Sequence, residues 1–153
     1  MNIRKATTED LGDLLALDAK LDAYRHSNYT AENKAFHDRI NPHEPFNEDD
    51  LTKSIVLIAR DNDSSPLGFI RGTVTNRASH VLSSLGYIDE LFVDEDARGK
   101  GIAKSLFEML ESEFKKQGCD HMTTQTDAEN DLSRSFYQKA GMSEVTVELW
   151  KKI

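Results

Sequence analysis

The chain reads as a mixed α/β layer, with elements in the order β-α-α-β-β-β-α-β-α-β. Three observations predict this. Apolar, strand-like runs lie at 55–60, 67–76 and 87–93. The first two are separated by Asp61-Asn62-Asp63-Ser64-Ser65-Pro66, a dense turn signal that makes them a hairpin. After the third run comes a basic, glycine-bearing turn and then a long amphipathic stretch with helical spacing.

The elements come in this order. Asn2–Ala6 is a short first strand. Thr7 caps a helix, with Asp10 as its capping-box partner and Leu11, Leu14, Leu15 and Leu21 as its apolar stripe. Residues 24–50 are polar and irregular; a second helix is expected around 30–40 and a Pro-containing loop at 41–47, where Asn41 or Asn47 caps the next element. The hairpin comes next, and a loop at 77–86 leads to the strand Tyr87–Val93. The helix after it runs to about Gln117, with Ala103, Phe107, Leu110 and Phe114 as its buried stripe, joined by Ile102 and Leu106. Lys115 and Lys116 suit its C-terminal end, and Gly118 stops it. His121–Thr126 is a strand. Asn130 opens a further helix that Gly141 ends. Glu144–Lys152, with Val145, Val147 and Leu149 alternating, is expected as the final strand.

Composition sets the bounds. At 153 residues, 38% hydrophobic and 30% charged, the chain is expected to be one domain, 1–153, with a proper core. A net charge of −8 argues against a nucleic-acid partner, which calls for a basic face. No membrane-spanning run and no signal peptide appear, so the cytosol is the default. The lone Cys119 excludes an intramolecular disulfide. It reads as buried packing, although His121 stands two residues away. The histidines at 26, 37, 43, 80 and 121 lack metal-ligand spacing, so no metal is expected.

The stretch 87–105, YIDELFVDEDARGKGIAKS, carries the function. Strand, glycine-bearing basic turn and helix N-terminus form a construction for holding phosphate. First-turn amides lack intrahelical partners, the helix dipole adds positive charge, and glycines clear the approach to the backbone. Spacing separates the candidates. A nucleotide-triphosphate loop fails because Arg98 and Ala103 stand where its glycines belong. A dinucleotide fingerprint fits Gly99 and Gly101 but meets Lys104 at its third glycine. The pattern that remains is R-x-x-G-x-A: Arg98, Gly101, Ala103.

This pattern resembles the acyl-CoA-binding signature of the GNAT superfamily of N-acetyltransferases. A second block, Asn130 to Met142, resembles the same family's N-x-x-[small]-x-x-[FL]-Y-x-x-x-G-[FM] segment through Asn130, Tyr137 and Gly141. The resemblance covers roughly residues 85–150. It implies a mostly antiparallel central sheet flanked by helices, acetyl-CoA as cosubstrate, and a primary amine on a small molecule or peptide as acceptor. Homodimers are frequent in the family, so a homodimer is a possible assembly.

The resemblance also implies site roles. The carrier lies against Leu91, Phe92 and Val93 like an added strand, and the Val93 amide takes the thioester oxygen. Its pyrophosphate meets residues 98–103: Arg98, Gly99, Lys100, Gly101, Ile102 and Ala103. Ser105 adds a hydroxyl. The bland reading of Arg98 and Lys100 is charge balance for Asp94–Asp96. Asn130 contacts the carrier's amide arm as well as capping its helix. Tyr137, protonated at neutral pH, is the acid for the departing thiolate. The base is Glu90 or Asp89. Neighbours on a strand point to opposite faces, so only one easily faces the amine, and Glu90 is preferred unless a bulge reverses the choice. The alternative function is a non-catalytic acyl-CoA sensor domain of the same fold.

Overall fold

The structure, a computed structural model, describes residues 1–30, 34, 44–76, 84–149 and 151. Most of the helix expected at 30–40, with His37 and His43, lies outside those residues, as does His80. Strand β1 is Asn2–Lys5, and a 3-10 turn at Thr8–Asp10 leads into helix α1, Leu11–Asn28. Helix α2 is Glu48–Lys53. Strands β2 (Ile55–Arg60), β3 (Pro66–Asn76) and β4 (Ser84–Val93) come next. Helix α3 is Ile102–Lys116, strand β5 is His121–Thr124, and helix α4 is Asp131–Lys139.

The five strands form one sheet in the order β1-β2-β3-β4-β5. The first four are antiparallel neighbours, and β5 runs parallel to β4. Strand β2 is buried on both faces, which is why it reads as an unbroken apolar run. Its residues alternate between two cores. Ile55, Leu57 and Ala59 join Ile70, Ile88, Leu106, Leu110 and Phe114 under α3. Val56 and Ile58 join Leu14, Leu17, Leu21, Phe46, Phe69 and Phe92 under α1. Leu15, expected in the α1 stripe, is exposed; Leu17 takes the buried position instead. Helix α3 sits close to the sheet because Gly72 and Gly86 lie beneath Phe114. A Cβ at Gly86 would come within 2.5 Å of that ring.

Local chemistry explains the ends. Asn47 accepts from the Asp49 amide at the start of α2, and Asn130 accepts from the Ser133 amide at the start of α4. Thr7 and Asp10 form the expected capping box, but around the 3-10 turn rather than α1 itself. Asp10 is fully buried and is held by Arg4 at 2.7 and 2.8 Å and by Arg60 at 2.6 Å.

The final strand expected over Glu144–Lys152 does not form. Residues 143–149 belong to no ladder, and Val145, Val147 and Leu149 stand in solvent; Trp150 and Lys152 lie outside the described residues. Alternation gives a segment the side-chain pattern of a strand, but a ladder also needs a partner within reach. Among the described residues, no helix is long and apolar enough to cross a membrane.

Candidate active site

The parallel ladder between β4 and β5 stops at the pair Ile88 and Thr124. Beyond it β4 continues through residues 89–93, while the chain after Thr124 leaves the sheet. The two diverge around a cleft of about 590 Å³. Its walls come from the C-terminal half of α1, the end of β4, the glycine turn, the segment after β5, and α4.

At the head of this cleft β4 carries a bulge. Arg71 of β3 pairs with Glu90, but the next residue, Gly72, pairs with Ile88, so Asp89 has no place in the ladder. The extra residue changes which way the carboxylates point. Asp89 accepts a hydrogen bond from Thr73 Oγ1 at 2.7 Å. Glu90 meets Arg71 Nη2 at 3.3 Å and Arg25 Nη1 of α1 at 3.3 Å. Thr73 and Arg71 alternate with Gly72, which faces α3, so they lie on the α1 side. Asp89 and Glu90 therefore share one face and one cleft, contrary to the expectation that adjacent strand residues diverge.

Their environments differ. Glu90 is buried between two guanidinium groups, and Arg71 is itself fixed by Asp50 at 3.0 Å and by the face of Phe46. Glu90 thus ties α1 to the sheet. Burial pushes the Asp89 carboxyl above the ordinary aspartate range, against the opposing pull of the Thr73 hydrogen bond and the Arg71 charge. Glu90 is engaged by two guanidinium groups, whereas Asp89 accepts from the Thr73 hydroxyl.

The glycine turn succeeds β4 through a 3-10 turn at Glu95–Ala97. Gly99 and Gly101 both have φ of +78°, a left-handed conformation that favours glycine, and a Cβ on either would find nothing within 4 Å. The space over the turn is open, and Arg98, Gly99, Gly101, Ile102 and Ala103 line the cleft. Arg98 donates from Nε to the Val93 carbonyl at 3.2 Å, touches Glu95 at 3.3 Å, and stacks on the Tyr24 ring at 5.0 Å. Lys20 of α1 pairs with Asp94. Lys100 and Ser105, both expected at the site, do not line the cleft. Lys100 is bonded to the Asp96 carbonyl at 3.2 Å, while Lys104 on the first turn of α3 takes a lining position.

Leu91, Phe92 and Val93 line the β4 wall, and Asn130 and Tyr137 line the α4 wall. Tyr137 packs against Phe107 and Phe136, and burial raises its hydroxyl to about 12, partly offset by a hydrogen bond with Thr124. Tyr87 interacts electrostatically with both Asp89 and Tyr137, so the three polar groups occupy one neighbourhood. Tyr24, Arg25, Tyr29 and Asp127 carry no motif that marks them in the sequence. Burial and a hydrogen bond with Asp127 hold the Tyr29 phenol well above its usual range, and these two residues join α1 to the segment after β5. The polar residues closing the α1 pattern at 24–29 are the one signal that points to them. Among the described residues, no group of three or more His, Cys, Asp or Glu is placed to hold a metal ion.

A sheet that splays at a bulge, with a glycine turn beside it, defines the class. The chain belongs to the acetyltransferase (GNAT) family, whose profile matches residues 18–142. It is 31% identical over 86 residues to N-alpha-acetyltransferase 30 of Schizosaccharomyces pombe, covering 56% of this chain and 55% of that one. It is 31% identical over 100 residues to acetyltransferase Atu2258 of Agrobacterium fabrum, covering 65% and 66%. The matched stretch thus spans about half to two-thirds of these curated relatives. A solved structure of a variant BH1408 protein from Bacillus halodurans superposes with a TM-score of 0.79 at 25% identity, covering 99% of this chain and 100% of that one.

Proposed function

We propose that this chain is an acetyl-CoA-dependent N-acetyltransferase that moves an acetyl group to a primary amine by direct attack. The observation that carries the reading is the convergence of Asp89, Tyr137 and the open glycine turn on one cleft. Family membership and the names of the relatives support acetyl transfer. The turn fits the carrier's pyrophosphate: its backbone is unobstructed at Gly99 and Gly101, and Arg98 and Lys104 lie beside it. When bound, acetyl-CoA supplies an activated acetyl group and a thiol leaving group.

The protein's part is proton handling and alignment. Asp89 takes the proton from the acceptor's ammonium ion, freeing the nitrogen lone pair; the N–C bond forms as the C–S bond breaks, and the second proton shed by the nitrogen ends on the departing thiolate, giving the free thiol. Glu90, held by Arg25 and Arg71, positions α1 against the sheet rather than acting as base. The end of β4 aligns the carrier beside it, and the Val93 amide polarises the carbonyl oxygen. Tyr137 donates a hydrogen bond to the departing sulfur. With its hydroxyl at about 12 and an ordinary thiol near about 8.5, full proton transfer to the thiolate runs uphill, so the hydrogen bond is its contribution.

Calorimetric titration with acetyl-CoA, with NADH and ATP as controls, tests the carrier site; no selective binding overturns it. A thiol-release assay against an amine panel then tests turnover. Asp89→Asn is expected to lose rate at neutral pH and to recover at high pH, where the amine is already deprotonated. Tyr137→Phe is expected to bind acetyl-CoA normally and turn over more slowly. Binding without turnover on any amine supports the sensor alternative.

A further inference from the structure

Thr73 of β3 pairs with Tyr87 of β4, two residues before Asp89. The ladder to β3 passes Asp89 over, and the ladder to β5 ends at Ile88, so neither neighbouring strand fixes this residue. Its carboxylate is fixed through the side chain instead. Thr73 Oγ1 donates to Asp89 Oδ2 at 2.7 Å, a length usual for a hydroxyl bonded to a carboxylate. Threonine is β-branched and stiff at χ1, which makes it a firmer anchor than serine. An ionised carboxylate only accepts, so the Thr73 hydrogen is committed to Asp89. Ser54 Oγ, 3.4 Å from Thr73 Oγ1, is then the donor in that second contact.

Asp89 lines the cleft, and among the described residues its Oδ1 receives no hydrogen bond. The charged and titratable groups around it come from five elements: Arg71 on β3, Tyr87 and Glu90 on β4, Asp50 on α2, Arg25 on α1 and Tyr137 on α4. A substitution at Thr73 changes none of them, so it isolates the hydroxyl. Burial pushes the Asp89 carboxyl up, and the Thr73 bond pulls it back down by favouring the ionised form.

We propose that Thr73 is the positioning residue of the base: its hydroxyl holds Asp89 Oδ2 and leaves Oδ1 to take the proton from the acceptor's ammonium ion. The role rests on the acetyltransferase reading above, with Asp89 as base. Thr73 does not itself line the cleft, so it acts through Asp89.

NMR titration of the full chain, with isotope-labelled aspartate carboxyls and Asp89→Asn to identify the signal, reads the bond without turnover. Thr73→Val and Thr73→Ala are expected to move the Asp89 titration to higher pH, and Thr73→Ser to restore most of the wild-type position. In kinetics on an accepted amine, the acidic limb of the kcat/KM profile is expected to move the same way. At pH values below that limb, loss of a hydrogen bond to a charged group slows the Thr73→Val enzyme by about tenfold, with the acetyl-CoA KM unchanged. An unmoved Asp89 titration in both Thr73→Val and Thr73→Ala overturns the proposal, as does Thr73→Ser behaving like Thr73→Val. A titration that moves while the kinetic limb stays put overturns it too, because the hydroxyl then acts on a carboxyl that is not the base. If wild type acetylates no amine, the acetyltransferase reading fails and the role of Thr73 with it, whereas an unmoved titration in an active enzyme removes Thr73 alone.

Discussion

The Arg98 guanidinium lies 5.0 Å from the centre of the Tyr24 ring, while its Nε is held by the Val93 carbonyl. Two fixed contacts leave a planar cation little rotamer freedom to lose on meeting phosphate. Stacking of this kind is worth about 0.5–1 kcal/mol at exposed sites. On the proposed function, Tyr24→Ala raises the acetyl-CoA KM by about two- to fivefold and leaves kcat unchanged, whereas Tyr24→Phe retains most of the affinity. Steady-state kinetics with each variant checks this; an unchanged KM for Tyr24→Ala rules the contact out. Neither this stack nor the choice between Asp89 and Glu90 is legible in the sequence. Tyr24 and Arg98 are far apart in the chain, and the direction of Asp89 depends on how β3 pairs across from it. The glycine turn is legible because its chemistry is local: two glycines, a basic residue, and a helix start.

Elements with local determinants match the sequence reading closely. Strand β2 is Ile55–Arg60 as expected, α3 ends beside Lys115 and Lys116, and Asn130 caps its helix; the short helix Glu48–Lys53, which Asn47 caps, lies where no helix is expected from the sequence. The segment 144–149 does not match: its alternation gives the side-chain pattern of a strand, but among the described residues it pairs with none. Gly86 shows how packing between elements adds information. Its missing side chain leaves room for the Phe114 ring of α3, and a methyl group there would lie 2.5 Å from it. Gly86→Ala is expected to destabilise the fold by about 1–3 kcal/mol through overpacking. Chemical denaturation reads this directly, as a lower midpoint with an unchanged slope.

At the scale of the whole molecule, Asp10 joins three parts of the chain. It accepts from Arg4 on β1, from Arg60 on β2, and from the Thr7 amide at the entrance to α1. The Arg4 hydrogen bond is the largest influence holding its carboxyl far below the ordinary aspartate range; burial opposes this, while Thr7 and Arg60 reinforce it. Linkage gives the sign. The unfolded chain protonates at an ordinary pKa near about 3.9, and the folded chain protonates well below it, so the contribution is intact above that value. It is lost as pH falls through the folded pKa. Asp10→Asn is therefore expected to be clearly less stable than wild type at neutral pH, with the gap narrowing below about pH 4. Thermal melts across that range measure the gap, and a constant difference contradicts this account.

The bulge in β4 has one more consequence. Ile88 faces the α3 core, Phe92 faces the α1 core, and Leu91 and Val93 pack on the α3 side. Leave Asp89 out of the count and these residues already alternate as a regular strand. Asp89 is thus supernumerary to the architecture, an inserted letter that leaves the reading frame of both cores intact. Deleting it is expected to yield a protein at least as stable as the original, folded and inert: the scaffold can spare the one residue on which the proposed chemistry turns.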